Sequence, residues 1–302
     1  MKGLLNLIRD QGWQGQITSV DHLDDLRFSI LNRLEQGEID SRLYQEQLSF
    51  LSFDPPPELL GVRSIMIVAV PTPQMRVFFH SRGKRVPVII PPTYVSYSQR
   101  TNRIQEKLAD LLKQEGHHLA KPRLPLKTLA VRSGLARYGR NNICYVDGMG
   151  SFLQLVGAFS DRPCDNDNWQ QPEMLKRCEK CTTCLINCPT EAIDKDRFLL
   201  HSEKCLTYHN EATRDFPDWI DPSWHHCLFG CLKCQAICPE NKAVVNWYDD
   251  LVEFSEPETT HLIDAVPYEQ LPEEMVFKIE GLELSENYLA LCRNLKMLLS
   301  KN

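Results

Sequence analysis

Apolar and polar positions follow different rhythms along this chain, and each rhythm predicts a different element. Between residues 20 and 35, Leu23, Leu26, Phe28, Ile30, Leu31 and Leu34 are spread among charged positions at the spacing of an amphipathic helix. Asp54-Pro-Pro-Pro57 stops any helix, because proline has no N–H to donate. Ser64-Ile-Met-Ile-Val-Ala-Val-Pro71 is apolar almost without interruption, as a strand buried on both faces must be. Two β-rich segments, 75–79 and 86–90, flank Ser81-Arg-Gly-Lys84 and predict a hairpin, with Pro87 placing the second arm at a sheet edge or bulge.

Helical spacing returns at 101–116, where Ile104, Leu108, Leu111 and Leu112 share a face. Pro122 and Pro125 precede a short helix beginning at Leu126, which runs into the glycine-punctuated loop Gly134-Leu-Ala-Arg-Tyr-Gly139-Arg-Asn-Asn142. Segments 143–146 and 152–159 read as strands with Asp147-Gly148 as the turn. The polar stretch 161–177, with Pro163, Asp165-Asn-Asp-Asn168 and Pro172, reads as a linker. Near the end, Leu289, Cys292, Leu295 and Leu299 share a helical face, with Ser285 as the expected N-cap. At 302 residues the chain exceeds one ordinary domain. The expected division is an α+β domain over 1–165, a cysteine-rich module over 166–245 and a helical tail over 246–302.

Composition narrows the setting. The chain is 42% hydrophobic and 25% charged, with no apolar run long enough to span a bilayer. Its first ten residues hold a short apolar patch but neither a twin-arginine pair nor a small-residue cleavage site, so the expected compartment is the cytoplasm. A formal net charge of −6 argues against general nucleic-acid binding, which needs a basic face. Local basic groups remain at Arg132, Arg137 and Arg140, and at Arg82, Lys84 and Arg85.

The twelve cysteines carry the chemistry. Cys178-Glu-Lys-Cys181-Thr-Thr-Cys184-Leu-Ile-Asn-Cys188-Pro189 matches the bacterial ferredoxin run at every spacing. Cys231-Leu-Lys-Cys234-Gln-Ala-Ile-Cys238-Pro239 repeats its last three cysteines and its proline. A tight loop with cysteines three apart delivers three thiolates to one cubane, while the fourth, before proline, points to the neighbouring cluster. Crossed ligation then gives cluster one Cys178, Cys181, Cys184 and Cys238, and gives cluster two Cys188, Cys231 and Cys234. The second run has Leu228 where its first cysteine belongs, so the last ligand is Cys205 or Cys227. Cys227 is one residue out of register, whereas Cys205 sits in a segment free to adopt its own geometry, and Cys205 is preferred. Zinc sites use paired C-x2-C knuckles instead. Of the remaining cysteines, Cys144 and Cys292 lie in apolar contexts and read as core. His117, His118, His209, His225 and His226 have no metal-motif spacing.

The cysteine arrangement together with the loop resembles the epoxyqueuosine reductases, relatives of the reductive dehalogenases, over roughly 60–245. Their loop reads close to A-G-L-G-W-I-G-K-N, here Ser133-Gly-Leu-Ala-Arg-Tyr-Gly-Arg-Asn141. The resemblance implies a nitroreductase-like, cobalamin-binding N-terminal domain followed by a ferredoxin-like module with two 4Fe-4S clusters. It also implies a corrinoid contacting Gly134, Leu135, Arg137, Gly139, Arg140 and Asn141. Electrons from a ferredoxin or flavodoxin pass through the clusters to cobalt and then to a small or nucleoside-like substrate. By analogy with the dehalogenases, Tyr97 and Tyr138 are candidate proton donors, the latter near Arg140. The other reading is an electron-transfer or reductive-activation protein for a corrinoid protein or other redox partner, without substrate chemistry of its own. This sequence departs from the epoxyqueuosine pattern in three places: the acidic residue before the Leu126 helix is Ala120 or Lys121, the D-Y-H segment is Gln99-Arg100-Thr101, and the central loop glycine is Ala136. The helical-repeat tail is also largely missing.

Overall fold

The computed structural model describes residues 3–300. Helix α1 (Leu4–Asp10) leads into strand β1 (Gln14–Ser19), followed by helices α2 (Leu23–Glu35) and α3 (Ser41–Gln47). Strands β2 (Ser64–Pro71), β3 (Gln74–Ser81) and β4 (Lys84–Ile90) precede helix α4 (Tyr97–Lys113), strand β5 (Leu119–Ala120) and helix α5 (Leu126–Arg132). Short strands β6 (Arg137–Tyr138) and β7 (Cys144–Tyr145) come before the long β8 (Leu153–Ser160). The cysteine-rich part carries only short helices: α6 (Thr183–Ile186), α7 (Leu206–Glu211) and α8 (Lys233–Ala236). Strand β9 (Tyr248–Phe254) and helices α9 (Glu256–Ile263), α10 (Glu273–Gly281) and α11 (Tyr288–Leu299) complete it.

The apolar run of β2 has a simple cause. In the antiparallel sheet β1-β2-β8-β5 it is an inner strand, and alternate residues face two helical layers. Ile65, Ile67 and Ala69 pack with Leu23 and Leu26 of α2 and with Leu129 and Ala130 of α5. Met66, Val68 and Val70 pack with Leu4 and Ile8 of α1 and with Leu108 and Leu112 of α4. Period-2 side-chain direction thus divides one hydrophobic run between two cores.

The hairpin forms as expected, with β3 and β4 antiparallel and Pro87 on the edge strand. Its other edge is taken by β9, which pairs in parallel with β3. The segment after 245, expected to be purely helical, therefore begins with a strand. Together with α9, α10 and α11 it shares one core with the hairpin, where Val77 and Phe79 meet Phe254, Leu262, Met275 and Leu295.

Four local expectations need correction. The turn at Asp147-Gly148 forms, but the strands beside it do not pair with each other: β7 joins β6, while β8 joins β2 and β5. In α11 the buried face is Tyr288, Leu291, Cys292, Leu295 and Leu299, whereas Leu289 is 61% exposed. Ser285 opens a 3-10 turn ahead of α11 and accepts from the Tyr268 hydroxyl, so Asn287 occupies the N-cap position. The polar stretch 161–177 is pinned to the surface. Asp167 accepts from Thr18 Oγ1 at 2.6 Å and pairs with His22, and Trp169 stacks on His22 and donates to Asp25. Among the described residues no helix is long and apolar enough to cross a membrane.

Candidate iron-sulfur site

Helices α6 and α8 are four residues each and pack against one another. Each is short because the run ends in Cys-Pro, and the residue before proline is pushed out of the helical region. Cys238 accordingly adopts an extended backbone, with φ −70° and ψ 126°. It leaves α8 and lines one small cavity with Cys178, Cys181 and Cys184. Polar groups already face these sulfurs: the Arg140 backbone N–H donates to Cys178 Sγ at 3.4 Å, and Thr183 Oγ1 lies 3.3 Å from Cys181 Sγ. The Thr183 hydroxyl holds Cys181 below the usual thiol range, while burial pushes Cys184 up to about 11.

The second group is more enclosed. Burial pushes Cys231 up to about 12, and Cys205 and Cys188 act on it as further negative neighbours. Burial also raises Cys234 well above the thiol range, with Cys231 and Cys205 next in weight. Cys205 in turn is raised by burial and by Cys188. Four thiols thus sit within one another's field, and Thr190 Oγ1 lies 3.5 Å from Cys188 Sγ. Cys227 packs with Phe152, Leu232, Ile89 and Val244 in an apolar cluster, and after burial Cys231 is the next group that raises its thiol. Cys144 and Cys292 are buried in apolar cores as well.

Among the described residues, no three His, Cys, Asp or Glu side chains converge as a single metal ion requires. Four thiols around a void, with a backbone N–H donating to one sulfur and a threonine hydroxyl beside another, suit a 4Fe-4S cluster. Ligation by iron would remove the protons that burial holds on the thiols.

The loop residues divide. Gly134, Leu135 and Arg137 line a cavity of about 200 Å³ with Arg9, Trp13 and Gln14. Gly139, Arg140 and Asn141 face the first cysteine group instead. Arg140 is committed there, donating from Nε to Cys181 O at 3.1 Å and from Nη2 to Cys178 O at 2.5 Å. Arg137 pairs with Asp147 and Glu173, and Arg132 lies over Trp169. The basic trio of the sequence is therefore no free basic patch. The group Arg82, Lys84 and Arg85 fares likewise in part, since Arg85 is bound to Glu253.

The six residues expected to contact a corrinoid do not line one cavity: Gly134, Leu135 and Arg137 border the one of about 200 Å³, and Gly139, Arg140 and Asn141 border the first cysteine group. Gly134, at φ +77°, has Asn168 Nδ2 2.4 Å from where a Cβ would stand, so that face is already covered.

Tyr138 lies in the core. Its hydroxyl donates to Thr128 Oγ1 at 3.3 Å, its ring meets Phe198 edge-on, and burial drives its ionisation well above the usual phenol range. Arg140 does not support it, being bound to the cysteine loop. Tyr97 opens α4 and is exposed. Lys121 donates to Asn102 at 2.8 Å, and Ala120 is buried in β5. The sequence did not single out Tyr94 and Glu211, which hydrogen-bond to each other beside Cys205. Burial pushes the Glu211 carboxyl up, against the opposing effects of Tyr94 and Lys127. Asn141 and Tyr145 also form a buried pair, with Asn141 Nδ2 donating to Tyr145 Oη at 2.9 Å. No periodicity marks either pair; a Tyr or Asn aimed at a thiol is visible only once the cysteines have been assembled.

Residues 177–241 match the family model of the 4Fe-4S double cluster binding domain. The epoxyqueuosine reductase of Cyclobacterium marinum is 35% identical over 114 residues, which is 37% of this chain and 36% of that relative. The match thus spans about a third of the relative's length. The solved structure of epoxyqueuosine reductase from Streptococcus thermophilus superimposes with a TM-score of 0.70 at 16% identity, covering 98% of this chain and 80% of that one. A crystal structure of epoxyqueuosine reductase with a tRNA-TYR epoxyqueuosine-modified tRNA stem loop gives 0.69 at 19% identity and the same coverage. The chain therefore resembles epoxyqueuosine reductases in sequence and has their fold.

Proposed function

We propose that this chain, built on the epoxyqueuosine reductase fold around a 4Fe-4S double cluster binding domain, is an iron-sulfur oxidoreductase that reduces a nucleoside-like substrate. The observation that carries the reading is the gathering of eight thiols into two groups of four. Cys178, Cys181, Cys184 and Cys238 hold one cluster, and Cys188, Cys205, Cys231 and Cys234 hold the other. The clusters supply low-potential one-electron steps, and a reduced ferredoxin or flavodoxin is the donor. Reduction of an organic substrate consumes protons with electrons. Glu211, raised by burial and accepting from the Tyr94 hydroxyl, stands beside Cys205 as a candidate proton relay. Tyr138 turns its hydroxyl to Thr128.

The N-terminal layers are of the nitroreductase-like type in this reading, and the compartment is the cytoplasm, where reducing conditions keep all twelve cysteines as free thiols or ligands. Cobalamin dependence belongs to the resemblance, but the six loop residues do not form its cradle, and no step here runs through it.

A second reading is favoured because neither Ala120 nor Lys121, where the resemblance expects an acid, is one, and Lys121 is bound to Asn102. In that reading the chain passes electrons to a corrinoid protein or another redox partner and transforms no substrate itself. The deciding experiment offers anaerobically reduced protein an epoxyqueuosine-modified stem loop and measures iron and cobalt on the same sample. Product formation with cluster reoxidation supports the reductase. Clusters that discharge only to a partner protein, with no product, support the second reading.

A further inference from the structure

We propose that the exposed surface of α6, α8 and the turns beside them is the docking face for an acidic ferredoxin, the protein that delivers electrons to this chain. The inference rests on the two-cluster reading above and deepens it by giving the donor a place to bind.

Two isoleucines on this surface have no core to fill. Ile186 ends α6 and is 75% exposed, and Ile237 follows α8 and is 42% exposed. The two helices pack against one another, so both isoleucines belong to one short double-helix unit. Ile186 lies between Cys184 and Cys188 in the chain, and Ile237 between Cys234 and Cys238. Each therefore stands between a ligand of one cluster and a ligand of the other. A four-residue helix is roughly 6 Å long, which keeps Ile186 close to Thr183. Thr183, with Arg177, Pro239 and Glu240, borders the void between Cys178, Cys181, Cys184 and Cys238.

Cations accompany this apolar pair. Lys176 opens the turn Lys176–Glu179 and Lys180 closes it, Lys233 opens α8, and Lys242 follows the turn Pro239–Asn241. Arg177 is bound to Glu240 at 2.6 Å, a pair that ties the two turns together. Among the described residues, none of the four lysines forms an ion pair with an acidic side chain. Segments 174–188 and 231–243 carry five basic and two acidic side chains, in a chain whose formal net charge is −6. The surplus of positive charge thus lies where the clusters come nearest to the surface.

Exposed apolar side chains among unpaired cations suit a transient redox interface, which is small and relies on electrostatic steering. Charge complementarity requires an acidic partner, and a plant-type ferredoxin, at about −400 mV, supplies electrons at low potential. The step moves one electron: the ferredoxin is oxidised by one, the first cluster is reduced by one, and no proton or bond changes hands.

The test is stopped-flow reduction of the full-length, cluster-loaded protein by a reduced acidic plant-type ferredoxin. Dithionite serves as a small reductant that needs no docking face, and iron is counted on each sample. The wild-type rate constant with ferredoxin is expected to fall steeply as salt rises. Lys176→Glu combined with Lys242→Glu is expected to slow that reaction roughly tenfold or more at low salt. Ile186→Ser is expected to weaken the complex about tenfold through the apolar contact it removes. Reduction by dithionite should match wild type in both variants. Wild-type ferredoxin rates in both variants, at full iron content, overturn the docking face. A shifted cluster midpoint at an unchanged ferredoxin rate assigns the lysines to the clusters' own charge and overturns it as well. If a variant loses iron, the salt dependence of the wild type decides, and a flat response overturns the proposal. Wild-type protein that holds no clusters overturns the two-cluster reading instead, so the two failures are distinguishable.

Discussion

Exchange of Cys205 and of Cys227 for alanine separates a ligand from a core residue that the sequence alone leaves in competition. Cys227 packs with Phe152, Leu232, Ile89 and Val244 and is 1% exposed. Cys227→Ala removes a group comparable to one or two methylenes. Transfer and cavity terms together cost roughly 1–2 kcal/mol, and none of the eight assigned thiols is removed. Cys205→Ala leaves the second group with three thiolates. A cluster's binding energy is part of the folding energy of its domain, so losing a ligand affects iron content and stability together. From about eight irons per chain, two cubanes of four, the Cys205 variant is expected to fall toward about four. The Cys227 variant is expected to stay near eight with a modestly lower Tm. Iron, acid-labile sulfide and visible spectra on anaerobically purified protein read both. Full iron and unchanged spectra in Cys205→Ala, with iron loss in Cys227→Ala, would refute the assignment.

Leu295 is fully buried in the core shared by α11 and the hairpin, so Leu295→Ala should destabilise by about 2–5 kcal/mol; an unchanged denaturant midpoint would show that the C-terminal helices do not share that core. His209 is buried, donates from Nε2 to Glu203 O at 2.9 Å and has its pKa lowered, chiefly by burial and then by Arg214 and Arg293. The native state therefore holds it neutral while the unfolded chain protonates near its ordinary pKa of about 6.5, so stability falls as pH drops through that value. The Tm of His209→Gln should decline less than that of wild type between pH 7.5 and 5.5, and parallel curves would argue against this contribution.

Contiguity decided what was legible in the sequence. Cys178, Cys181, Cys184 and Cys188 are fixed by local spacing, so their chemistry shows in one short stretch. β2 was equally clear, because an inner strand between two helical layers must be apolar at every position. By contrast, Tyr248-Asp-Asp-Leu-Val-Glu-Phe254 is an edge strand exposed along most of its length, and its pairing with β3 lies about 170 residues away in sequence. The loop showed its glycines but not their partners: Gly139 is required by Asn141 and Tyr145, which lie within the same turn yet gain meaning only beside Cys178 and Cys238. Glu211 gave no signal at all, since its partner Tyr94 comes from the turn before α4.

The central claim, two 4Fe-4S clusters held by eight thiolates, is tested most directly by Mössbauer spectroscopy with iron and sulfide counts on one anaerobic sample. The account predicts about eight irons per chain in two cubane environments, each reducible by one electron. A single cluster, or zinc in place of iron, would contradict it.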